Sequence, residues 1–228
     1  MEGQALIEQA VGLTATGDEV SNTVRLLVLF TAMSFIPALL LVMTPFTRFI
    51  VVFSMLRQAL GLQQSPPNQV LIGLSLFLSL LVMGPTLTQS WENGVQPFMD
   101  GQMETTEAID ASMKPMRAFM MANVQRDDMR TVLEIAQVNP ATVDEIPTAA
   151  LTSAYVLSEL RSAFIIAIKV YIPFLVIDLV VGSVLLGMGM MMLPPPVIAM
   201  PFKLLIFVLM DGWGLLITNM VQSFNTPV

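Results

Sequence analysis

Four apolar runs constrain this chain more than anything else in it. They cover residues 26–46, 70–86, 163–193 and 197–210. A helix that crosses a bilayer needs about 20 consecutive apolar residues. The first and third runs have that length, the second is marginal, and the fourth reaches it only by running through Lys203 and on to Asp211. The class that follows is a membrane protein. Composition agrees: 55% of the 228 residues are hydrophobic and 12% charged, where a soluble domain has roughly 45–50% apolar residues.

Several function classes fall away at once. The sequence has no cysteine and no histidine, so a disulfide framework, a thiolate zinc site, an HExxH helix and serine–histidine or cysteine–histidine catalysis are all ruled out within it. A net charge of −7 without a basic stripe gives nothing to neutralise phosphates, which excludes a generic nucleic-acid binder. The expectation is a chain that is not an enzyme and carries no cofactor or metal. An aspartyl pair of Asp178 and Asp211 is the one residual foothold for intramembrane catalysis.

Charge also gives an expected orientation. Arg48 and Arg57 lie between the first two runs with no acidic residue beside them, which marks that connection as cytoplasmic. Residues 89–162 carry eleven acidic and only five basic residues and are assigned to the outer side. Alternation then puts the acidic segment 1–22 outside, with a signal peptide expected to have been removed before Met1. The remaining divisions are 23–88, a first helical hairpin region; 89–162, an extracytoplasmic helical domain; and 163–228, a second apolar helical region. Within 89–162, Ile109, Met113, Met116, Met120 and Val124 recur at helical spacing, with Pro115 the expected start or kink of that helix. Met129, Val132, Leu133 and Ala136 form a second amphipathic run, and a third helix is predicted to begin after Pro147. The fold class is all-α.

Charged residues inside the apolar runs ask for partners, because a lone charge at the bilayer centre costs at least ~2.5–3.5 kcal/mol. Lys169 has two readings, snorkelling to an interface or facing protein. Asp178 is too short to snorkel and needs a cation, a proton or water. Lys203 is expected to pair with Glu159 or Asp178 of a neighbouring subunit, with a pair inside the chain as the alternative. Pro173 and Pro37 each remove a helical donor, and Ser183 with Gly187 makes a small-xxx-small pair. These features point to spans buried by other chains.

The stretch "GMGMMMLPPP" (187–196) places four of the chain's 19 methionines within five residues. Core filler, a copper(I) path and a deformable seal are all open readings of such a run. Pro194, Pro195 and Pro196 are expected to stop the helix and fix a loop that holds the methionines.

The longest motifs carry a resemblance. "MTPFTRFIVVFSMLRQALG" (43–61), "SPPNQVLIGLSLFLSLLVMGP" (65–85), "SELRSAF" (158–164), "IPFLVIDLVVGSVLLGMGMMMLPPPVIAMPFKLLIFVLMDGW" (172–213) and "QSF" (222–224) resemble the FliP family of flagellar type III export-gate proteins, related to the SctR proteins of virulence injectisomes. The resemblance implies a subunit of a helical, pore-forming FliP–FliQ–FliR gate in the bacterial inner membrane, within the flagellar basal body. It implies a gate standing largely on the periplasmic side and passing unfolded flagellar proteins. Other FliP copies, FliQ, FliR, FlhB, FlhA, export substrates and membrane lipids are the implied partners. It further implies that Met190, Met191 and Met192 form a methionine gasket at the narrowest point of the pore, and it places Glu159, Asp178 and Lys203 at family positions. An SctR-type injectisome subunit is the alternative, and a metal or solute transporter a more distant one.

Overall fold

In the computed structural model, residues 1–40 and 41–228 form two compact units. The structure describes Leu27, Phe30, Ser34, Ala38, and residues 41–190 and 192–224. The four described residues of the first unit are helical, and the Ser34 hydroxyl donates to the Phe30 carbonyl at 2.9 Å. Most of the first apolar run, Pro37 and the acidic segment 1–22 lie outside the described residues.

The second unit is helical throughout, with no strand among its described residues. Its elements are α1 (Phe46–Ala59), α2 (Asn68–Ser90), a π-turn (Trp91–Val95), α3 (Gln96–Met99), α4 (Thr105–Asn123), α5 (Arg126–Ala136), a 3-10 turn (Val143–Glu145), α6 (Thr148–Gly187), α7 (Pro195–Leu209) and α8 (Gly212–Gln222). Among the described residues, two helical stretches are long and apolar enough to cross a membrane, Asn68–Met99 and Thr148–Gly187. The pair α7 and α8, bent by 62°, would make a third.

The best-buried helix is one that hydropathy alone passes over. The predicted cytoplasmic connection between the first two runs is largely α1. Its Phe49, Val52, Phe53 and Leu56 recur at the i, i+3, i+4, i+7 spacing of one helix face, and all are buried. Helix α1 packs chiefly on α6 and also on α2. From it an aromatic chain runs both ways through the unit. One arm passes from Phe49 through Phe224 and Phe119 to Tyr155. The other goes from Phe53 through Trp213 and Phe207 to Phe174, with centroid separations of 5.4–6.3 Å, the range in which aromatic pairs attract.

Helices α4 and α5 fall where periodicity predicts them, with two corrections. Pro115 does not start the helix but lies buried within it, and Ile109 faces solvent while Ala108 turns inward. Pro147 caps the third helix, which begins after it at Thr148 as predicted. That helix, α6, continues through Pro173 for 40 residues, about 60 Å at 1.5 Å per residue. It therefore crosses residues 162 and 163 without a break. Likewise α2 does not stop at Gly84-Pro85 but continues to Ser90 and into the π-turn.

The π-turn brings Gly94 against Ala108 and Ser112 of α4 so closely that a Cβ there would overlap both the Ser112 side chain and the α4 backbone. Gly94→Ala is expected to cost about 1–3 kcal/mol as overpacking, measured by thermal unfolding of the purified chain. Gly84→Ala is the matched control. Nothing lies within 4 Å of its Cβ, so it should be neutral or stabilising by up to ~1 kcal/mol, as alanine is the better helix former.

Candidate functional site

The methionine run lies at the tip of the hairpin formed by α6 and α7. Helix α6 ends in a Schellman motif. Gly189 takes a left-handed φ of 75°, its N–H donates to the Leu186 carbonyl at 3.0 Å, and the Met190 N–H reaches the Leu185 carbonyl at 3.0 Å. A residue with a Cβ is disfavoured at that φ, so glycine is what lets the chain reverse here. The three prolines divide between the turn and the next helix. Pro194 is extended and caps the next helix, but Pro195 and Pro196 are the first two residues of α7. At those positions a missing N–H costs nothing and a fixed φ favours the helix. The prolines thus start α7 immediately after the turn instead of forming a loop.

The turn is left open by its own chain. Met188, Met190 and Met192 are exposed, Met192 almost completely at 98%, while Met191 lies outside the described residues. Thioethers used as core filler would be covered. Ser183 and Gly187 also face outward, and the close approach in this hairpin is made instead by Gly182 on Pro195.

The charged residues follow a different pattern. Lys203 is buried in α7, and its ammonium donates to Asp178 Oδ2 of α6 at 2.6 Å and to the Ala59 carbonyl of α1 at 3.0 Å. The pair closes within the chain, so the expected partnership with a neighbouring subunit is corrected. Glu159 is not its partner. That carboxylate, fully buried in α6, receives Arg48 from α1 in a two-pronged pair, Nε to Oε2 at 2.9 Å and Nη2 to Oε1 at 2.5 Å. The remaining guanidinium nitrogen donates to Ser223 Oγ at 2.7 Å, and the Arg48 Cζ lies 3.7 Å from the Phe224 ring centroid. Lys169 is exposed on α6, and Asp211 occupies the elbow between α7 and α8 with a left-handed φ of 48°. Nothing brings Asp211 to Asp178 as a reactive pair.

A family model described as the FliP family matches residues 29–220. The chain belongs to the FliP family. It is 45% identical to the flagellar biosynthetic protein FliP of Caulobacter vibrioides over 99% of this chain and 86% of that one. The Bacillus subtilis protein of the same name is 43% identical over 91% of this chain and 94% of its own length. That of Pectobacterium carotovorum is 46% identical over 91% and 81%.

In this member of the family, the motifs separated in sequence meet in space. Arg48 of "MTPFTRF" binds Glu159 of "SELRSAF" together with Ser223 and Phe224 of "QSF". Lys203 of "PFK" joins Asp178 of "IDL" to Ala59 of "RQALG". Sequence reasoning missed the role of Arg48, because an arginine beside an apolar run reads first as a topology marker. It also missed Asp128. That buried carboxylate at the start of α5 accepts from Ser158 Oγ at 2.8 Å and pairs with Arg161 at 2.5 Å, tying α5 to α6. The signal available was the polar face of "SELR", whose Ser158, Glu159 and Arg161 all find partners.

Proposed function

We propose that this chain is a component of the flagellar protein export apparatus, and more specifically a pore-forming subunit of a FliP–FliQ–FliR gate in the bacterial inner membrane. It would assemble with further copies of itself, with FlhB and FlhA docking, and pass unfolded flagellar proteins. The relatives carry flagellar names, which favours this over the SctR-type injectisome role. The role asked of the chain is structural and needs neither catalysis nor a cofactor.

One observation carries the reading: a capped turn that leaves Met188, Met190 and Met192 exposed. Arranged around an axis by several copies, Met190, Met191 and Met192 form a gasket. Unbranched, polarizable thioethers can close on one another or mould to a passing chain, and an apolar constriction resists wetting and ion flow. Pro194, Pro195 and Pro196 set the height of that ring by beginning α7 at once. The divisions 1–22, 23–88, 89–162 and 163–228 are kept as a proposal. The unbroken α6 then becomes a strut from the extracytoplasmic helices into the apolar hairpin.

The test replaces Met190, Met191 and Met192 together with alanine. Gates purified with FliQ and FliR should assemble in normal yield, while cells or proteoliposomes holding them become permeable to small ions. An assembled mutant gate that keeps the wild-type seal would return these residues to packing.

A further inference from the structure

Apart from the turn and the two buried ion pairs, the unit has a groove where α6, α7 and α8 converge, with a volume of about 400 Å³. Its walls are apolar: Val170 and Phe174 from α6, Ile206 from α7, Met210 just after it, and Leu215 from α8. The polar side chains lining it are Lys169 and Asn219. Asn219 spends its amide on the Leu215 carbonyl at 2.7 Å. None of the ion pairs among the described residues includes Lys169, and no carboxylate lines the groove. An ammonium at the mouth of an apolar slot lacks an anion.

Position says which anion. The apolar half of α6 begins near residue 163, so Lys169 lies about 9 Å along it, close to one edge of the roughly 30 Å hydrocarbon layer. Half-exposed Tyr171 stands nearby, a residue type that favours the headgroup level. Asn219 lines the groove from α8, and Gln222 follows it at the end of that helix. Pro173 also leaves the Lys169 carbonyl without its helical donor, an acceptor that a headgroup hydroxyl can satisfy.

We infer that this groove binds an anionic phospholipid, its phosphate on the Lys169 ammonium and an acyl chain along the slot between α6, α7 and α8. The ligand matches the site in charge, in shape and in depth, and the binding needs no assumption about the pore.

The full chain, purified in detergent, is exposed to phosphatidylglycerol or phosphatidylcholine, and bound lipid is counted by native mass spectrometry. Wild type should retain one phosphatidylglycerol in preference to phosphatidylcholine. Lys169→Gln should lower that retention about tenfold or more, the loss expected for one charge-assisted contact, and Lys169→Arg should restore it. Leu215→Trp, at a half-exposed wall position, should displace the lipid with Lys169 intact. Soluble glycerol phosphate should not compete, since it lacks the chain that fills the slot. Equal retention of both lipids, or unchanged phosphatidylglycerol in Lys169→Gln, overturns the inference. So does a Lys169→Gln protein that keeps its lipid but fails to recover a protein partner, which would assign the ammonium to an acidic partner surface.

Discussion

Glu159→Ala is expected to destabilise the folded chain by about 3–5 kcal/mol, the cost of leaving one member of a buried ion pair without its counter-charge. The stranded group is Arg48, whose side chain is 5% exposed and cannot rotate into solvent. Its remaining contacts, Ser223 and the face of Phe224, satisfy one nitrogen and stack the plane but cancel no charge. Because those contacts belong to the end of the chain, the damage should spread from α1 and α6 to the segment after α8. Trp213 reports on it, since its ring packs against Phe53 and Phe207. Thermal unfolding followed by tryptophan fluorescence should therefore show a lower midpoint. Restoring neutrality should matter more than restoring the pair: Arg48→Met with Glu159→Leu is expected to recover most of the loss, as apolar replacement of buried pairs often does. Glu134→Ala is the surface control. Its partner Arg130 is 81% exposed, and such pairs contribute little. A single Glu159→Ala variant that melts like wild type would show that the clasp does not hold the unit together.

That clasp was only half legible in the sequence, and the reason is physical. Hydropathy locates segments that must avoid water, so it found the apolar parts of α2, α6 and α7. It is silent on a helix such as α1, whose apolar face is broken by Arg48 and Arg57 and whose burial comes from neighbours. The i, i+3, i+4, i+7 spacing of Phe49, Val52, Phe53 and Leu56 was available but competed with a charge rule that treats arginines as solvent-facing. Proline misleads in the same way. Pro85, Pro115 and Pro173 each forfeit one backbone bond, a local cost that helix packing outweighs, so α2, α4 and α6 continue past them. The methionine turn was legible because its glycine and prolines act locally, through φ. Whether Glu159 faced Lys203 or Arg48 was not, since both cations fit the chemistry and only the packing of α1 on α6 decides.

Lys203→Met should be the second most damaging change, at about 1.5–3 kcal/mol, the range for hydrogen bonds to charged groups. The ammonium does two things at one point. It neutralises Asp178, which is partly exposed at 27%, and it satisfies the Ala59 carbonyl. That carbonyl ends α1, where helical donors have run out. The turn after α1 covers the two preceding carbonyls, through Leu62 N–H to Arg57 and Gly61 N–H to Gln58, and the third is left for Lys203. Asp178→Asn should be milder, because an amide oxygen still accepts from the lysine and the Ala59 bond survives. The decisive variant exchanges the charges within one chain, Asp178→Lys with Lys203→Asp. It should recover part of the electrostatic loss but not the bond to Ala59, which the shorter side chain lacks the donor to make. All of this is to be measured on the isolated chain, without FliQ or FliR, because the contact joins α1, α6 and α7 of one molecule. Should Lys203→Met leave the isolated chain as stable as wild type and fail only in assembled gates, Lys203 would belong to a subunit boundary after all.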